Sequence, residues 1–324
     1  MEKKVLLAGE AMGLLMAVNT GPLERSEGFD CGIAGAEFNV ATGLSRLGHQ
    51  VSYLTKVGND PFGRMIINRA QSEGMDCSLI ATSTSLKTGY MMKSLVTSGD
   101  PEIFYCREGS AASTLDSEDI GSVNLSSFSH LHLTGILPAL SQSCQTATFD
   151  LAMRARDAGL FISFDPNIRP QLWPSQDRMV AVLNTMAVLA GLVMPGLTEG
   201  RLLCGDMQAS PLKVCSFFNS MSCDVCLKLG SEGAIVAPAG GTPRAVSGFV
   251  VDKVVDTVGA GDGFACGVIS ALISGADLYE AARVGCAIGA RQCTFRGDNE
   301  GLPTQSELDD FIKHTPEAPL PQLI

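Results

Sequence analysis

The residues best suited to chemistry in this sequence lie at positions 256–262, which read DTVGAGD. The small residues Gly259, Ala260 and Gly261 allow a tight turn, because glycine adopts positive φ values that other residues avoid. An apolar helical pattern follows, and the first amides of that helix have no partner within it. These amides point outward at the positive end of the helix dipole, which predicts an anion site with Asp262 at its rim.

An anion site with a carboxylate beside it suits the transfer of a phosphoryl group to a hydroxyl. In that interpretation Asp262 is the general base, and the amides of Gly259, Ala260 and Gly261 stabilise the charge on the transferred group. A Gly-Ala-Gly turn before a helix is also common in α/β proteins that bind no phosphate. The tripeptide alone therefore leaves both interpretations open.

The elements that must position this site follow a regular order along the chain. Short apolar runs alternate with helical patterns, and the runs lie at residues 5–9, 51–54, 131–133, 161–165, 192–194 and 225–228. Strands separated by helices predict a central, mostly parallel sheet with helices on both faces. Ligands of such α/β sheets collect outside the carboxyl ends of the strands.

Two segments, residues 12–33 and 88–108, break this order with strand-like alternation and no helix within them. Their pairing predicts a small antiparallel sheet that projects from the main domain. The alternative is a pair of extra strands at the edge of the main sheet. No linker interrupts the sequence, so we expect one domain over residues 1–324.

Composition limits the classes of partner. With 324 residues, 45% hydrophobic and 18% charged, the chain is long and apolar enough for a large core. A net charge of −11 argues against a broad basic face for nucleic acid or anionic membranes. The apolar stretch at residues 179–197 contains polar residues and a proline, and it is more typical of a helix followed by a buried strand than of a membrane span.

The cysteines indicate a reducing compartment. There are eleven, an odd number without framework spacing, so we expect free thiols in the cytoplasm. Cys223 and Cys226 form a lone C-x-x-C, and buried thiols explain it better than zinc because no second pair follows. The apolar run at residues 5–7 is too short for a signal peptide.

Three further segments carry candidate binding residues. Residues 32–41, GIAGAEFNVA, bring Gly35 and Asn39 to a helix entry, where the Asn39 amide suits sugar hydroxyls. A simple glycine-rich helix start is the alternative. Residues 164–170, FDPNIRP, end a strand and carry Arg169, whose planar fork suits a carboxylate or phosphate. Alternatively Arg169 pairs with Asp165 and fixes the loop.

The third segment, residues 105–112 (YCREGSAA), supplies Arg107 and Tyr105. Tyr90 lies a short distance before it, in a chain that has only four tyrosines. An exposed surface arginine is the ordinary explanation for Arg107. Two arginines and two tyrosines nevertheless indicate an anionic sugar, because a neutral hexose needs hydroxyl partners rather than two guanidinium groups.

The heptapeptide at 256–262 resembles the signature of the ribokinase-like (PfkB-type) sugar kinases, whose last Asp is the catalytic base. Residues 32–41 and 58–63 are similar to the family's sugar-binding element and the motif after it. The order of motifs is intact from residue 9 to about 303. The resemblance implies a ribokinase-like α/β fold in which the small sheet is a lid over the sugar and the contact of a homodimer.

The resemblance also implies ATP and Mg²⁺ as cofactors, and it allows K⁺ beside the turn at residues 256–257. Residues 228–234, KLGSEGA, resemble the family's nucleotide-contacting turn, although a plain hairpin turn fits equally well. The family's Asn-x-x-Glu element matches residues 196–199, where Gly196 stands in the place of Asn and Glu199 acts on the metal through water. The implied nucleotide contacts are Asn167, Lys228, Gly230, Gly233, Gly259 and Gly261.

Within the family, residues 105–112, 131–140 and 296–301 most resemble kinases of 2-keto-3-deoxygluconate. The implied reaction moves the γ-phosphoryl group of ATP to the terminal hydroxyl of that sugar acid. The implied substrate contacts are Gly35, Asn39, Tyr90, Tyr105, Arg107, Arg169, Asp262 and Asp298, although a solvated loop explains Asp298 equally well.

Four alternatives remain within sugar binding: a fructokinase, a ribokinase, a 5-dehydro-2-deoxygluconokinase, and a non-catalytic sugar sensor on the same scaffold. A nicotinamide oxidoreductase fits poorly, because no G-x-G-x-x-G follows the first strand.

Overall fold

The computed structural model describes residues 4–96 and 101–323. Residues 97–100 of the predicted lid segment, and residues 1–3 and 324 of the predicted domain, lie outside the described residues. The strands of the described part are β1 Lys4–Ala8, β2 Met12–Thr20, β3 Phe29–Ala34, β4 Val51–Gly58, β5 Ile80–Ser83, β6 Tyr90–Leu95, β7 Ile103–Cys106, β8 Phe128–Thr134, β9 Phe161–Asp165, β10 Leu192–Val193, β11 Asp224–Lys228, β12 Gly233–Ala237 and β13 Arg244–Ser247.

The helices of the described part alternate with these strands over most of the chain. They are α1 Ala36–Arg46, α2 Pro61–Ser72, α3 Ser117–Gly121, α4 Leu137–Leu140, α5 Gln142–Asp157, α6 Gln176–Leu189, α7 Leu197–Leu203, α8 Pro211–Asn219, α9 Ala260–Ile273, α10 Leu278–Gln292 and α11 Gln305–His314. The apolar stretch at 179–197 is divided between α6 and β10, as predicted. Within the described ranges, no helix has both the length and the apolar character that crossing a bilayer requires.

The main sheet has the order β13-β12-β11-β10-β9-β8-β1-β4-β5. Its strands pair in parallel from β5 to β11, while β12 and β13 are antiparallel. The predicted central, mostly parallel sheet is therefore confirmed. Glu10 follows β1, Asp165 ends β9 and Lys228 ends β11, so parallel strands deliver these side chains to one edge.

Two apolar clusters cover the faces of the main sheet. One packs α1, α9 and α10 against it, with Phe38 and Tyr53 in edge-to-face contact at 5.4 Å. The other packs α5, α6 and α8 on the opposite face, around residues such as Phe164 and Phe218. Because both faces are covered, the short runs read from the sequence are nearly continuous apolar strands.

The second sheet has the order β3-β2-β6-β7, which confirms the small sheet and excludes the alternative of edge strands on the main sheet. Its outer pairs, β2–β3 and β6–β7, are antiparallel as predicted. The central pair, β2–β6, is parallel. The two predicted segments therefore meet side by side in the same direction, each with its own antiparallel neighbour.

Candidate active site

The turn before α9 has a backbone that only glycine accommodates. Gly259 is the N-cap of α9 with φ 79°, in the left-handed region. A Cβ at this position would lie 2.1 Å from the Asp298 carbonyl oxygen, so a side chain is excluded on steric grounds as well. The segment around Asp298 therefore packs directly on the turn.

The predicted anion site consists of the backbone amides of Gly259, Ala260 and Gly261, which are called the nest below. It is present in part. The Ala260 N–H donates to the Thr257 carbonyl at 3.3 Å, which closes the turn. Within the part of the chain that the structure describes, the N–H groups of Gly259 and Gly261 have no backbone acceptor. Two of the three amides are thus available to an anion at the helix N-terminus.

Asp262 lies in the first turn of α9 between two asparagine amides. The Asn39 Nδ2 donates to its Oδ2 at 2.7 Å, and the Asn167 Nδ2 donates to its Oδ1 at 3.4 Å. Burial raises the pKa of Asp262 to about 6, and the nearby charge of Asp165 acts in the same direction. The two amides hold the carboxylate in place. Its raised pKa makes it basic enough to accept a proton near neutral pH.

The sequence predicts that Asn39 binds the sugar hydroxyls. In the structure its side chain also links Asp262 to Asn299. Asn39 is 1% exposed, and besides bonding Asp262 its Oδ1 accepts a hydrogen bond from the Asn299 amide at 3.0 Å. Asn299 also donates to the Ile33 carbonyl at 3.0 Å. This chain of amides fixes which oxygen of Asp262 faces Asn39.

The space in front of Asp262 is a cavity of about 720 Å³, called the charged cavity below. It lies at the carboxyl ends of the parallel strands and is closed on one side by the small sheet. The predicted site residues that line it are Gly35, Asn39, Tyr105, Arg107, Asn167, Arg169, Glu199, Lys228, Gly259, Gly261, Asp262 and Asp298, and Asp165 lines it as well. Tyr90 is absent from this lining; it stacks on Phe62 with the ring centroids 5.5 Å apart.

Arg169 faces the charged cavity without a carboxylate partner among the described residues. The alternative in which it pairs with Asp165 is wrong, because Asp165 accepts Lys228 Nζ at 2.6 Å instead. Arg169 donates to its neighbour's carbonyl, that of Ile168, at 3.1 Å. Its guanidinium group is therefore the less compensated of the two predicted arginines.

Arg107 is 8% exposed, so the explanation of an exposed surface arginine is wrong. Its Nη2 lies 2.5 Å from Glu10 Oε2, and the guanidinium lies 5.7 Å from the centre of the Tyr105 ring. The other oxygen of Glu10 accepts the Ser110 hydroxyl at 2.5 Å. The Nε of Arg107 is buried and has no hydrogen-bond partner in residues 4–96 and 101–323, so it keeps a donor for a bound molecule.

Asp298 is 4% exposed and lines the charged cavity, so the explanation of a solvated loop is wrong. Burial raises its pKa to about 7. The Nζ of Lys93, on the small sheet, lies 3.8 Å from the Asp298 Oδ1 and 2.5 Å from the Asp256 Oδ2. The sequence analysis missed Lys93; its one signal is a lysine within the apolar strand pattern YMMKSL.

A second space, of about 500 Å³, lies on the other side of the turn and is called the apolar groove below. Phe249, Val251, Val254 and Phe264 line it, together with small residues of α10. Gly230 and Gly233, predicted as nucleotide contacts, line this groove rather than the charged cavity. Lys228, Thr257 and Gly261 line both spaces, so the two meet at the turn.

The turn at 228–234 joins two antiparallel strands, so the hairpin of the sequence analysis is real. Gly233 has φ 115°, and a Cβ there would lie 2.2 Å from the Val246 carbonyl oxygen. The hairpin and the groove are compatible, because the same turn forms one wall of the apolar groove.

The two oxygens of Glu199 hold two loops together. Its Oε1 accepts the Ile168 N–H at 2.7 Å and its Oε2 accepts the Gly196 N–H at 2.7 Å. In the described residues, no group of three or more His, Cys, Asp or Glu side chains forms a metal cage. Glu199 also lines the charged cavity, and each of its oxygens can accept a further hydrogen bond. The side chain therefore fits a metal that it reaches through water, because Mg²⁺ keeps several waters.

The chain matches the profile of the pfkB family carbohydrate kinase over residues 2–305. It belongs to that family. A nest of amides beside an aspartate thus lies in a carbohydrate kinase, an enzyme that transfers a phosphoryl group to an alcohol. The predicted family and enzyme class are confirmed.

Similar proteins support the same fold over nearly the whole length. A 2-dehydro-3-deoxygluconokinase of Bacillus subtilis (strain 168) is 43% identical over 306 residues, which cover 94% of each chain. A solved PfkB protein from Polaromonas sp. JS666 is 42% identical with a TM-score of 0.86, covering 95% of this chain and 99% of that one. A putative ribokinase II from E. coli, solved with ATP and Mg²⁺, is 27% identical with a TM-score of 0.86 and covers 96% and 99%.

Proposed function

We propose that this carbohydrate kinase transfers the γ-phosphoryl group of ATP to the terminal hydroxyl of 2-keto-3-deoxygluconate. The observation that carries the proposal is the position of Asp262 where the charged cavity meets the turn that also borders the apolar groove. The relative of 43% identity is named for the same substrate.

Asp262 is the proposed general base. Its pKa of about 6 leaves it ionised at neutral pH, so it accepts the hydroxyl proton as that oxygen attacks. The free amides of Gly259 and Gly261, with Ala260 between them, stabilise the charge on the transferred group. Asn39 and Asn167 position the carboxylate, because both amides donate to it.

The sugar carboxylate pairs with Arg169 in this proposal, since that guanidinium has no carboxylate partner among the described residues. Arg107 is already paired with Glu10, so its buried Nε is better suited to a sugar oxygen than to the full charge of the acid. Gly35, Asn39, Tyr105 and Asp298 complete the proposed sugar contacts. Tyr90 contributes through its stacking on Phe62, because it does not line the cavity.

ATP would lie with its base in the apolar groove and its phosphates at the turn. Lys228 lines both spaces, and the carboxylates of Asp165 and Glu199 raise its pKa although burial alone lowers it. Its ammonium therefore stays charged beside the phosphates. Gly230 and Gly233 shape the groove, and Asn167 lies near the phosphate side.

Mg²⁺, with Glu199 behind its water shell, would supply charge neutralisation on the phosphates. The solved E. coli relative with ATP and Mg²⁺ supports both cofactors. The family resemblance alone predicts potassium beside residues 256–257. The ammonium of Lys93 already lies against Asp256 there, so potassium is not carried into this proposal.

We propose that residues 12–33 and 88–108 act as a lid within a single domain. Met12, Met91 and Tyr105 of the small sheet line the charged cavity. Closure of the lid over this cavity would exclude water, which competes with the sugar as phosphoryl acceptor. Val18 and Phe104 are apolar and exposed on the same sheet, 45% and 55% respectively, which supports a homodimer contact there. Light scattering on Phe104→Asp tests this contact, and an unchanged mass would exclude it.

The test of the substrate is an ADP-release assay across sugar acids and neutral sugars. We expect the highest kcat/KM with 2-keto-3-deoxygluconate. A higher value with fructose, ribose or 5-dehydro-2-deoxygluconate would replace the substrate and keep the chemistry. No ADP release with any sugar, together with measurable sugar binding, would favour the non-catalytic sensor.

The cytoplasmic location stays part of the proposal. It is supported by the use of ATP and by eleven cysteines that are all free thiols in the structure.

A further inference from the structure

Lys93 is a buried ammonium that the proposed reaction does not use. It lies on β6 of the small sheet, and its side chain is 5% exposed. Its Nζ lies 2.5 Å from Asp256 Oδ2 and 3.8 Å from Asp298 Oδ1. Asp256 belongs to the turn before α9, and Asp298 belongs to the segment that packs on that turn, so one cation of the small sheet contacts both.

Asp256 transmits this contact to the backbone of the nest. Its Oδ1 accepts the Val258 N–H at 3.1 Å, directly before Gly259, and its Oδ2 accepts the Gly297 N–H at 3.4 Å. The Asp298 carbonyl in turn packs on Gly259. The position of the free Gly259 and Gly261 amides therefore depends on where Asp256 and the 297–298 segment are held.

The buried carboxylate of Asp256 favours a cation at this place, and the Asp298 carboxyl beside it adds to that preference when it is ionised. The side chain of Asp256 is 9% exposed and that of Asp298 is 6% exposed, and Glu300 adds a further negative charge near Asp298. Removing the positive partner of a buried pair is strongly destabilising, because the remaining charge is left uncompensated. Without Lys93 a carboxylate here has to take up a proton, or the loop has to rearrange or take an ion from solution.

We propose that the Lys93 ammonium is a built-in monovalent cation that holds the nest in its anion-binding shape. Lys93 is then a positioning residue for nucleotide phosphates, and the enzyme needs no potassium or other alkali ion at Asp256. The proposal rests on the role of the nest in binding ATP, but not on the identity of the sugar.

The experiment compares Lys93→Ala, which removes the charge and leaves space, with Lys93→Met, which removes the charge and fills the space. ATP binding by calorimetry and ADP release are measured at equal ionic strength in potassium, ammonium or tetramethylammonium chloride. The wild type is expected to perform alike in all three salts. In tetramethylammonium both variants should lose roughly tenfold to a hundredfold in kcat/KM for ATP, as expected for misplaced nest donors.

Potassium or ammonium should restore much of the loss in Lys93→Ala and little in Lys93→Met. Lys56→Ala is the matched control, because Lys56 is a half-buried lysine 2.6 Å from Asp119 and away from the nest. It should lose stability without gaining a dependence on cations. A wild type that requires potassium, or a Lys93→Ala enzyme with full ATP affinity in tetramethylammonium, would overturn the proposal.

If Lys93→Ala does not fold, the double variant Lys93→Met/Asp256→Asn removes both charges of the close pair. A raised Kd for ATP that no salt corrects supports the proposal, and an unchanged Kd overturns it. Because ATP binding needs no sugar, a wrong substrate assignment appears only in the sugar panel and is distinguishable from failure here.

Discussion

The charged cavity and the apolar groove meet at one glycine turn, but they are built in opposite ways. Charged side chains from both sheets and several loops line the cavity, and most are paired across long sequence separations. The groove is formed by the hairpin at 228–234, by the segment at 248–257 and by small and apolar residues of α9 and α10. Under the proposed function, specificity for the acceptor depends on the charged cavity, and the groove takes the flat base of the nucleotide.

The largest effect is expected at the turn that both regions share. Asp262→Asn should lower kcat by roughly a hundredfold to ten-thousandfold, because the general base is lost. The new amide keeps the size of the carboxylate and can accept from only one of Asn39 and Asn167, since its NH2 group faces the other donor. ATP affinity by calorimetry should stay nearly unchanged. Asp277→Asn is the control, since Asp277 caps α10 and asparagine caps equally well. A wild-type rate in Asp262→Asn would remove this residue from its role.

A smaller effect separates the two arginines of the charged cavity. Arg169→Met should raise KM for the sugar acid roughly tenfold to a hundredfold, the value of a lost charge-assisted hydrogen bond, and change KM for ATP little. A neutral sugar accepted by the same enzyme should be much less affected. An equal rise for the acid and the neutral sugar would exclude a carboxylate contact at Arg169.

Arg107→Met should behave differently, because it leaves Glu10 buried without its cation. We expect the free energy of unfolding to fall by about 3 to 5 kcal/mol, with kinetics impaired for acid and neutral sugars alike. Urea denaturation measures the first effect. If Arg107→Met were as stable as the wild type, the Glu10 pair would not be a structural part of the cavity.

The pH dependence tests the environment of Asp262 itself. Its carboxylate acts as a base only when ionised, and its pKa is raised to about 6 in the free protein. Activity should therefore be full above that pH, and kcat/KM should fall about tenfold for each pH unit below it. A profile that is flat down to pH 4.5 would contradict a raised pKa at the base.

The smallest effect is expected in the apolar groove. Val254 is 57% exposed and lines its rim, where a bound base would cover it. Val254→Ser should raise KM for ATP about threefold to tenfold, because roughly 1 kcal/mol of apolar contact is lost. KM for the sugar acid should not change. The opposite pattern would place the nucleotide elsewhere.

Much of the architecture could be predicted from the sequence because it depends on local patterns. The apolar runs at 5–9 and 161–165 identify β1 and β9, and the covered faces of a parallel sheet explain their continuous apolar character. The glycine turn at 256–262 could also be predicted, since positive φ and a missing Cβ are properties of glycine itself. The parallel β2–β6 pair could not, because strand direction within the small sheet depends on how two distant segments dock.

The sequence by itself determined the alternation of helices with six strands of the main sheet, the glycine turn and the aspartate beside it. Only the tertiary structure decided the partners of the charges: Glu10 with Arg107, Asp165 with Lys228, and Asp256 with Lys93. The physical reason is the sequence distance over which each kind of interaction acts. Backbone conformation follows from neighbouring residues, whereas the pairing of buried charges depends on which side chains the completed core brings within a few ångströms of each other.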